Sequence, residues 1–352
     1  MDPQQEKDLY LLLTSKLGFE PTTDQEFALQ KLASFCLRLA PEEVFILKGY
    51  AGTGKTTIVK ALVNSLSGFK RKVVLMAPTG RAAKVMSYYS GKPAFTIHKY
   101  IYRPSKKGSG IRFNLRENKA THTIFVVDES SMINDEGAPS LLSDVLQFVR
   151  GGVNCKLVFV GDIAQLPPVG SNISPALERD WLSVHYRKEC LGATLTHVVR
   201  QAHNSGVLNN ATQIRELLQE SVYEKPRFSV APDFVHLLEG FELEDALNQS
   251  YADLGREGTM VIVRSNKRAV LYNQQIRSRI LWQEDEISTG DFLMVVKNNY
   301  FWLDERAKAS FIANGDIVEV LNIRDIKELY GYRFARVQLR MVDYPDDPAF
   351  ET

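Results

Sequence analysis

The sequence has little cysteine and no long apolar run, and both shortages limit what the protein can be. Its 352 residues include three cysteines, Cys36, Cys155 and Cys190, with no CxxC pair and no histidine at metal-ligand spacing. A disulfide or zinc framework is therefore not expected, and we predict reduced, mostly buried thiols. No apolar run approaches the length of a membrane span, and the first residues lack a signal-peptide pattern. We expect a soluble cytoplasmic protein, associated with the nucleoid if its source is bacterial.

An excess of charge of either sign is also absent. There are 43 lysines and arginines against 42 aspartates and glutamates, which gives a formal net charge of +1. The overall charge therefore does not indicate a nucleic-acid partner, and any surface that binds phosphates must be a local one. The length is sufficient for two domains, each with its own hydrophobic core.

The first half of the chain alternates apolar runs with helical patterns. Four continuous apolar runs are typical of strands buried on both faces: Val44–Leu47, Val73–Ala77, Ile124–Val127 and Leu157–Val160. Between the runs lie helices, the first opening with capping-box spacing at Thr23–Glu26. We assign its apolar face to Phe27, Leu32, Phe35, Cys36 and Leu39. The repeated βαβ pattern predicts an α/β fold with a mostly parallel sheet and helices on both faces.

A second alternation begins near Leu195. The pattern predicts three strands, Leu195–Val199, Phe234–Leu238 and Met260–Val263. It also predicts three helices, Val207–Leu218, Glu244–Leu254 and Lys267–Leu281. After Gly290, strands with glycine turns predict a small β-barrel-like module, with strands at Phe292–Val296, Asp316–Asn322 and Tyr332–Val342. We expect the tail from Asp343 to be a linker.

A glycine-rich loop follows the first apolar strand and opens a helix. Gly49–Thr57 reads GYAGTGKTT, which matches the phosphate-binding pattern G-x-x-x-x-G-K-[ST] in the required context. Backbone N–H groups and the helix N-terminus favour phosphate oxygens there. Lys55 can reach the β- and γ-phosphates, and Thr56 can bind Mg²⁺. We assign ATP binding to Gly49, Ala51, Gly52, Thr53, Gly54, Lys55, Thr56 and Thr57. The alternative is a glycine-rich loop that matches by chance.

Polar residues follow two further strands. Asp128 and Glu129 come directly after Ile124–Val127, at the sheet edge where such folds bind ligands. Asp128 is placed to hold Mg²⁺ and Glu129 to activate a water molecule. Without the phosphate loop, two solvated acids in a surface loop would explain the pair equally well. Gln165 lies in a proline-rich loop after the next strand. From the residues alone, an ordinary turn is the better interpretation of that loop.

Residues from about 101 to 120 interrupt the alternation. The basic residues Arg103, Lys106, Lys107, Arg112, Arg116 and Lys119 surround the aromatic Phe113, with Gly108 and Gly110 at a predicted hairpin tip. We interpret the segment as an insertion that projects from the sheet. A charged hairpin that only solvates the surface is an equally good explanation.

Several motifs occur together in a fixed order along the chain. They read DQ, GYAGTGKTT, APTGRAA, TIH, VVDESSMI, VGDIAQLPPVG and THVVRQA. The set resembles superfamily-1 helicases, specifically the RecD/Dda-like branch that moves 5′ to 3′ on single-stranded DNA. The resemblance covers nearly the whole chain. It implies two P-loop, RecA-like domains with ATP between them and single-stranded DNA across both.

The resemblance also assigns roles around the nucleotide. Gln25 matches the glutamine that recognises adenine, although a polar residue in the first turn of a helix is the plain alternative. Gln165 matches the sensor of the γ-phosphate. Arg200 matches the arginine that reaches the γ-phosphate from the second domain. Such an arginine can increase the rate of phosphoryl transfer by a factor of about 10³–10⁵. A solvated arginine at the end of a strand is the alternative for Arg200.

Other matching residues imply contacts with DNA. Pro78, Thr79 and Arg81 lie in the motif that holds the DNA backbone, and a hydroxyl and a guanidinium suit phosphate oxygens. Thr96 and His98 match the neighbouring contact, with a capping or core histidine as the alternative. The insertion lies where this branch carries a wedge that splits the duplex, and Phe113 is our candidate for stacking on a base, which is worth about 1–3 kcal/mol.

The resemblance implies a domain plan. Residues 1–190 would form the first RecA-like domain with an insertion at about 101–120, residues 191–288 part of the second, and residues 289–352 part of an SH3-like module. The family's last two motifs do not occur before Thr352, so we expect a C-terminally truncated sequence. The expected partners are ATP, Mg²⁺, single-stranded DNA and junctions of single- and double-stranded DNA, with the motor acting as a monomer.

Two other functions fit the same motifs. The protein could be a DNA-binding P-loop ATPase that acts as a switch or a loader without unwinding. It could also be the motor part of a larger relaxase-type protein. The combination of Thr79, Arg81, His98 and the basic hairpin favours a motor, because these groups have no use without a strand to hold.

Overall fold

The computed structural model describes residues 3–40, 42–107, 110–137, 139–197, 205–220, 225–235, 237, 239–297, 299, 302–304, 307, 312 and 314–352. Side chains are described for these residues except 104–107, 110–113 and 219. The chain divides into two compact units, Met1–Asn204 and Ser205–Thr352.

The first unit is built from a parallel sheet and its flanking helices. Its strands are β1 Glu43–Gly49, β2 Lys72–Ala77, β3 Ala94–Thr96, β4 Tyr102–Lys107, β5 Gly110–Leu115, β6 Thr123–Val127, β7 Lys156–Gly161 and β8 Glu189–Leu195. Its helices are α1 Pro3–Ser15, α2 Thr23–Leu37, α3 Lys55–Ser65, α4 Gly80–Ser90, α5 Ile97–Ile101, α6 Leu141–Arg150 and α7 Arg179–Tyr186. Six strands form one sheet in the order β3-β2-β6-β7-β1-β8.

All neighbouring strands in this sheet are parallel. The two central strands, β6 and β7, are buried at every residue, and hydrophobic clusters cover both faces of the sheet. Continuous apolar strands are stable there because neither face meets water. The predicted α/β class, the parallel sheet and its four apolar strands are confirmed.

The first turn of α2 differs from the expectation in its register. Thr22, not Thr23, is the N-cap, and the capping box joins Thr22 to Gln25. Leu32, Phe35 and Cys36 are buried as predicted. The prediction was wrong for two other residues: Phe27 is 50% exposed, and Leu39 lies beyond the end of the helix and is 74% exposed. The buried side instead includes the α2 residues Ala28 and Leu29.

The strand expected at Leu195–Val199 begins earlier and belongs to the first unit. It is β8, Glu189–Leu195, which pairs with β1 along its whole length. Its continuation is also held to this unit, because the Asp24 carboxylate accepts the N–H groups of Thr196 and His197 at 2.6 and 3.0 Å. The first unit therefore extends past the boundary expected at residue 190.

The insertion is a β-hairpin, as expected. β4 and β5 pair with each other as a separate antiparallel ladder, from Tyr102 opposite Leu115 to Lys107 opposite Gly110. Near its base, the Tyr102 hydroxyl donates a 2.6 Å hydrogen bond to the Asp144 carboxylate on α6. The base of the hairpin is thus fixed to the core by a charge-assisted contact.

The second unit begins with three helices, α8 Gly206–Gln219, α9 Gly240–Gly258 and α10 Asn266–Gln275, with a π-helical turn at Ile276–Ile280. These confirm the predicted helices. The strand predicted at Met260–Val263 was wrong, because this segment has no strand partner within the part of the chain that the structure describes. In Phe234–Leu238, Phe234 forms only an isolated bridge to Ala231, and residues 236 and 238 lie outside the described residues.

The unit ends in an antiparallel sheet. Its strands are β9 Phe292–Met294, β10 Ile317–Leu329, β11 Tyr332–Met341 and β12 Phe350–Glu351, in the order β12-β11-β10-β9. The expected linker from Asp343 was wrong, because Phe350 pairs with Leu339 and is buried in the cluster that covers this sheet. The SH3-like assignment of this sheet stays a prediction. Among the described residues, no helix combines the length and apolar character that a membrane crossing needs.

Candidate nucleotide-binding site

Three loops meet at the carboxyl edge of the parallel sheet. They follow β1, β7 and β6, which are adjacent in the sheet although they are distant in sequence. Together with the first turn of α3 and with Phe19, which precedes α2, these loops line a cavity of about 610 Å³. Its lining residues are Phe19, Tyr50, Ala51, Gly52, Gly54, Lys55, Thr56, Thr57, Asp128, Glu129, Asp162 and Gln165. The phosphate loop and the two strand-end acids predicted from sequence therefore face one pocket.

The loop after β1 requires glycine at two of its positions. Gly52 and Gly54 have φ values of 77° and 91°, in the left-handed region that side chains disfavour. Gly54 is the N-cap of α3, so the unpaired N–H groups of the first helical turn open towards the cavity. A Cβ atom on Gly54 would lie 2.6 Å from Nε2 of Gln25. Such a loop with a helix start is suited to bind an anionic phosphate group.

Lys55 contributes the cation of the site. Its ammonium donates hydrogen bonds to the carbonyl oxygens of Gly49 and Tyr50 at 2.6 and 2.9 Å, and it lies 3.8 Å from Oδ2 of Asp162. Burial lowers the pKa of Lys55, while the charges of Asp162, Asp128 and Glu129 act in the opposite direction. A partly desolvated cation surrounded by loop oxygens can exchange these partners for phosphate oxygens.

The acids after β6 lie in an unusual backbone conformation. Glu129 has a φ of 51°, which is uncommon for a residue other than glycine and is often found at functional sites. Oδ1 of Asp128 accepts the Glu129 N–H at 2.8 Å, and Oδ2 accepts the hydroxyl of Tyr89 at 2.7 Å. Burial raises the pKa of Glu129, and the neighbouring charge of Asp128 adds to that effect.

The donor set fits a hard divalent cation. The Thr56 hydroxyl and the Asp128 carboxylate line the same cavity, and Mg²⁺ is bound in proteins through one or two such oxygens together with phosphate oxygens. ATP fits on the same grounds, because the loop, Lys55 and the start of α3 supply the positive groups that a triphosphate needs.

Three cavity residues were missed by sequence reasoning. Asp162 directly follows β7, as Asp128 follows β6, so the same strand-end rule would have found it. Phe19 and Tyr50 also line the cavity, and Phe19 is 43% exposed. Neither aromatic residue lies at a fixed position of the phosphate-loop pattern, so no sequence signal identified them.

Two predicted residues contact the loops around the cavity. Gln165 lines it, and its Oε1 accepts the hydroxyl of Ser131 at 3.0 Å. Gln25 is wholly buried, with Oε1 accepting the N–H of Thr22 at 3.1 Å and Nε2 donating to the carbonyl of Thr53 at 2.9 Å. Gln25 therefore holds the phosphate loop by its backbone. The adenine contact expected for Gln25 stays a prediction.

The predicted DNA-contact residues follow β2 and β3, away from the cavity lining. Thr79 caps α4, with its hydroxyl accepting the N–H of Ala82 at 3.2 Å, and Arg81 is exposed in the first turn. Pro78 is half-buried beside them. The Thr96 side chain is buried and caps α5.

His98 lies in α5 and is exposed, with its ring 5.5 Å from the ring of Tyr102. Two predicted residues cannot be placed. Arg200 lies outside the described residues, and Phe113 lies in β5 at a position whose side chain is outside the described part of the chain. Their roles stay predictions, as do the DNA contacts of Pro78, Thr79, Arg81 and Thr96.

Comparison with known proteins finds a matching family model and similar sequences. A family model described as an AAA domain matches residues 34–171. The ATP-dependent RecD2 DNA helicase of Deinococcus radiodurans is 35% identical over 145 residues, which are 41% of this chain and 19% of that protein. The ATP-dependent DNA helicase dda of Enterobacteria phage T4 is 26% identical over 293 residues, which are 78% of this chain and 62% of that protein.

Among solved structures, Pif1 helicase from Bacteroides in complex with ADP-AlF3 and ssDNA is 18% identical, with a TM-score of 0.42, and the match covers 92% of this chain and 72% of that chain. The chain spans less than two thirds of the length of the RecD2 and phage T4 relatives. The parallel sheet, with a phosphate loop directly after β1, is what identifies the P-loop fold.

Proposed function

Because this chain is a relative of the superfamily-1 helicases of the RecD and Dda type, we propose that it is an ATP-dependent DNA motor. It hydrolyses ATP to move along single-stranded DNA and to separate duplexes at junctions. A 5′-to-3′ direction, a cytoplasmic location and action as a monomer belong to the same proposal, and the direction rests on the sequence resemblance alone.

The single observation that supports this proposal best is the shared cavity. Lys55, Thr56, Asp128 and Glu129 come from two distant parts of the sequence, yet all of them line one pocket. An arrangement that only stabilised the fold would have no need to leave a cation, a hydroxyl and two carboxylates facing open space. A nucleoside triphosphate with its divalent cation requires that combination.

Each residue has a role that follows from its chemistry. Lys55 and the N–H groups at the start of α3 bind the phosphates, and Thr56 and Asp128 hold Mg²⁺, which would offset charge on the phosphate oxygens. Glu129, with its raised pKa, accepts a proton from the attacking water. Gln165 senses the γ-phosphate, and Arg200 contributes a second cation.

The DNA track is proposed at the starts of α4 and α5. Arg81 is exposed where α4 begins, and a helix start favours phosphate oxygens. Thr79, Thr96 and His98 lie close to the same two helix starts. Contacts of this kind hold the backbone without reading the sequence, so we expect little dependence on DNA sequence.

Replacing Lys55 by alanine tests the nucleotide site. We expect Lys55→Ala to abolish ATP turnover measured as phosphate release, because the substitution removes the cation from the phosphate pocket. Lys60→Ala is the matched control, since Lys60 lies in the same helix but is exposed and does not line the cavity. Equal turnover in Lys55→Ala and Lys60→Ala would disprove the phosphate-loop assignment.

Strand separation distinguishes a motor from a switch. We expect single-stranded DNA to stimulate ATP hydrolysis and the affinity for DNA to fall with salt, as backbone contacts require. The direction of movement is measured by unwinding assays on duplexes that carry either a 5′ or a 3′ tail. Nucleotide-dependent DNA binding without strand separation would instead support a switch or loading factor.

A further inference from the structure

Tyr89 contacts the nucleotide site from outside the motifs that define it. It lies near the end of α4, and its hydroxyl donates a 2.7 Å hydrogen bond to Oδ2 of Asp128. The direction of this bond is fixed, because an ionised carboxylate can only accept. Asp128 is the residue to which the proposed function assigns Mg²⁺, so Tyr89 contacts a metal-binding group and not the nucleotide itself.

The Tyr89 bond completes the orientation of the carboxylate. Oδ1 of Asp128 already accepts the N–H of Glu129 at 2.8 Å. One oxygen is therefore held by the strand-end backbone and the other by a neighbouring helix, which fixes rotation about the last side-chain bond. Each oxygen keeps a second acceptor position for a metal or for a metal-bound water.

Tyr89 is itself held in place. Its ring is half-buried against the hydrophobic cluster on one face of the sheet. The helix that carries it is capped at its start by Thr79 and ends at Gly91, whose φ of 68° stops the helix. The Lys92 ammonium then donates to the carbonyl of Val63 in α3 at 2.9 Å. A hydroxyl supported in this way can orient Asp128 before any ligand binds.

We propose that Tyr89 is a positioning residue for the metal-binding carboxylate of Asp128. The proposal rests on the proposed function, because it assumes that Asp128 binds a divalent cation. It requires only the hydroxyl group, since the ring's packing is independent of the hydrogen bond. Hydrogen-bond partners of metal ligands affect metal affinity or activity by about 10–100-fold when they are removed.

The test uses Tyr89→Phe, which removes the hydroxyl and keeps the ring. Mn²⁺ binding to the protein with a non-hydrolysable ATP analogue is measured by electron paramagnetic resonance, and the affinity for the analogue without metal is measured by fluorescence titration. We expect the Mn²⁺ dissociation constant to rise about tenfold, with the metal-free nucleotide affinity unchanged and the protein still folded. The Mg²⁺ concentration needed for half-maximal ATP turnover should rise in parallel, with kcat recovering as Mg²⁺ is added.

Tyr88→Phe is the matched control. Tyr88 is the preceding residue in the same helix, but it is 91% exposed and no hydrogen bond joins it to Asp128. An unchanged Mn²⁺ affinity in Tyr89→Phe would overturn this inference, and so would an equal loss of affinity in Tyr88→Phe. Either result would leave the assignment of the nucleotide site intact. If the unmodified protein bound no nucleotide with or without metal, the proposed function itself would be wrong, and the role of Tyr89 would fall with it.

Discussion

Replacing Gln25 by alanine tests what holds the phosphate loop in its shape. The side chain is wholly buried and forms two hydrogen bonds, from Thr22 N–H to Oε1 at 3.1 Å and from Nε2 to Thr53 O at 2.9 Å. Gln25→Ala removes both bonds, so a helix N-terminus loses half of its capping box and a loop carbonyl loses its donor.

The loss of stability expected for Gln25→Ala can be worked out from these two hydrogen bonds. A buried donor or acceptor left without its partner costs about 1–3 kcal/mol. Two such groups, with partial relief by water, give an expected loss of about 2–4 kcal/mol in the unfolding free energy of the first unit. Nucleotide affinity should also fall, and it should fall similarly for ATP and GTP, because the defect is in the loop and not at the base.

Urea unfolding, with hydrogen exchange of the α3 amides to report on the first unit, measures the stability. Gln30→Ala is the control, because Gln30 lies in the same helix and is exposed. The contrary result is a Gln25→Ala variant that is as stable as Gln30→Ala and that loses affinity for ATP but not for GTP. The side chain would then act on adenine, and its role as a support of the loop would be refuted.

Two further predictions follow from buried charges. Burial and Asp128 raise the pKa of Glu129, and the role proposed for Glu129 requires its ionised form. We therefore expect kcat/KM for ATP to fall on acidification at a pH above the usual glutamate pKa of about 4.3. A pH profile that stays flat down to that value would contradict this role. Glu43 forms a 2.9 Å ion pair with Lys156, and both side chains are nearly inaccessible to solvent. Glu43→Ala should therefore lower the free energy of unfolding, measured in urea, by about 3–5 kcal/mol. A loss below about 1 kcal/mol would show that water solvates Lys156 instead.

The sheet edge that carries the cavity of the first unit was predictable because its sequence signals are local. An apolar strand followed by a glycine-rich loop, or by an acid, specifies both the element and the edge at which it ends. Lys55, Asp128 and Glu129 were expected in one pocket from the sequence, and the structure brings them together there. Asp162 follows the strand β7 in the same way that Asp128 follows β6, so its position at this edge was equally predictable.

The parts that were wrong depend on non-local pairing. Met260–Val263 has a strand-like composition, but a strand needs a hydrogen-bonded neighbour, and none is present among the described residues around it. β12 is only two residues long and is defined by its pairing with β11, which no short-range pattern reveals. The position of β8 in the first unit likewise depends on a long-range contact, its pairing with β1.

The site also depends on residues that motifs do not identify. The motifs supply the groups that face the cavity, whereas Tyr89 and Thr22 act on those groups or their supports from neighbouring elements. A hydrogen bond from α4 orients Asp128, and one from α2 holds the loop at Thr53. Because both supports come from helices that flank the sheet, the geometry of the phosphate pocket depends on how α2 and α4 pack. Substitutions in the cores of these helices should therefore change metal and nucleotide affinity even where they touch neither ligand.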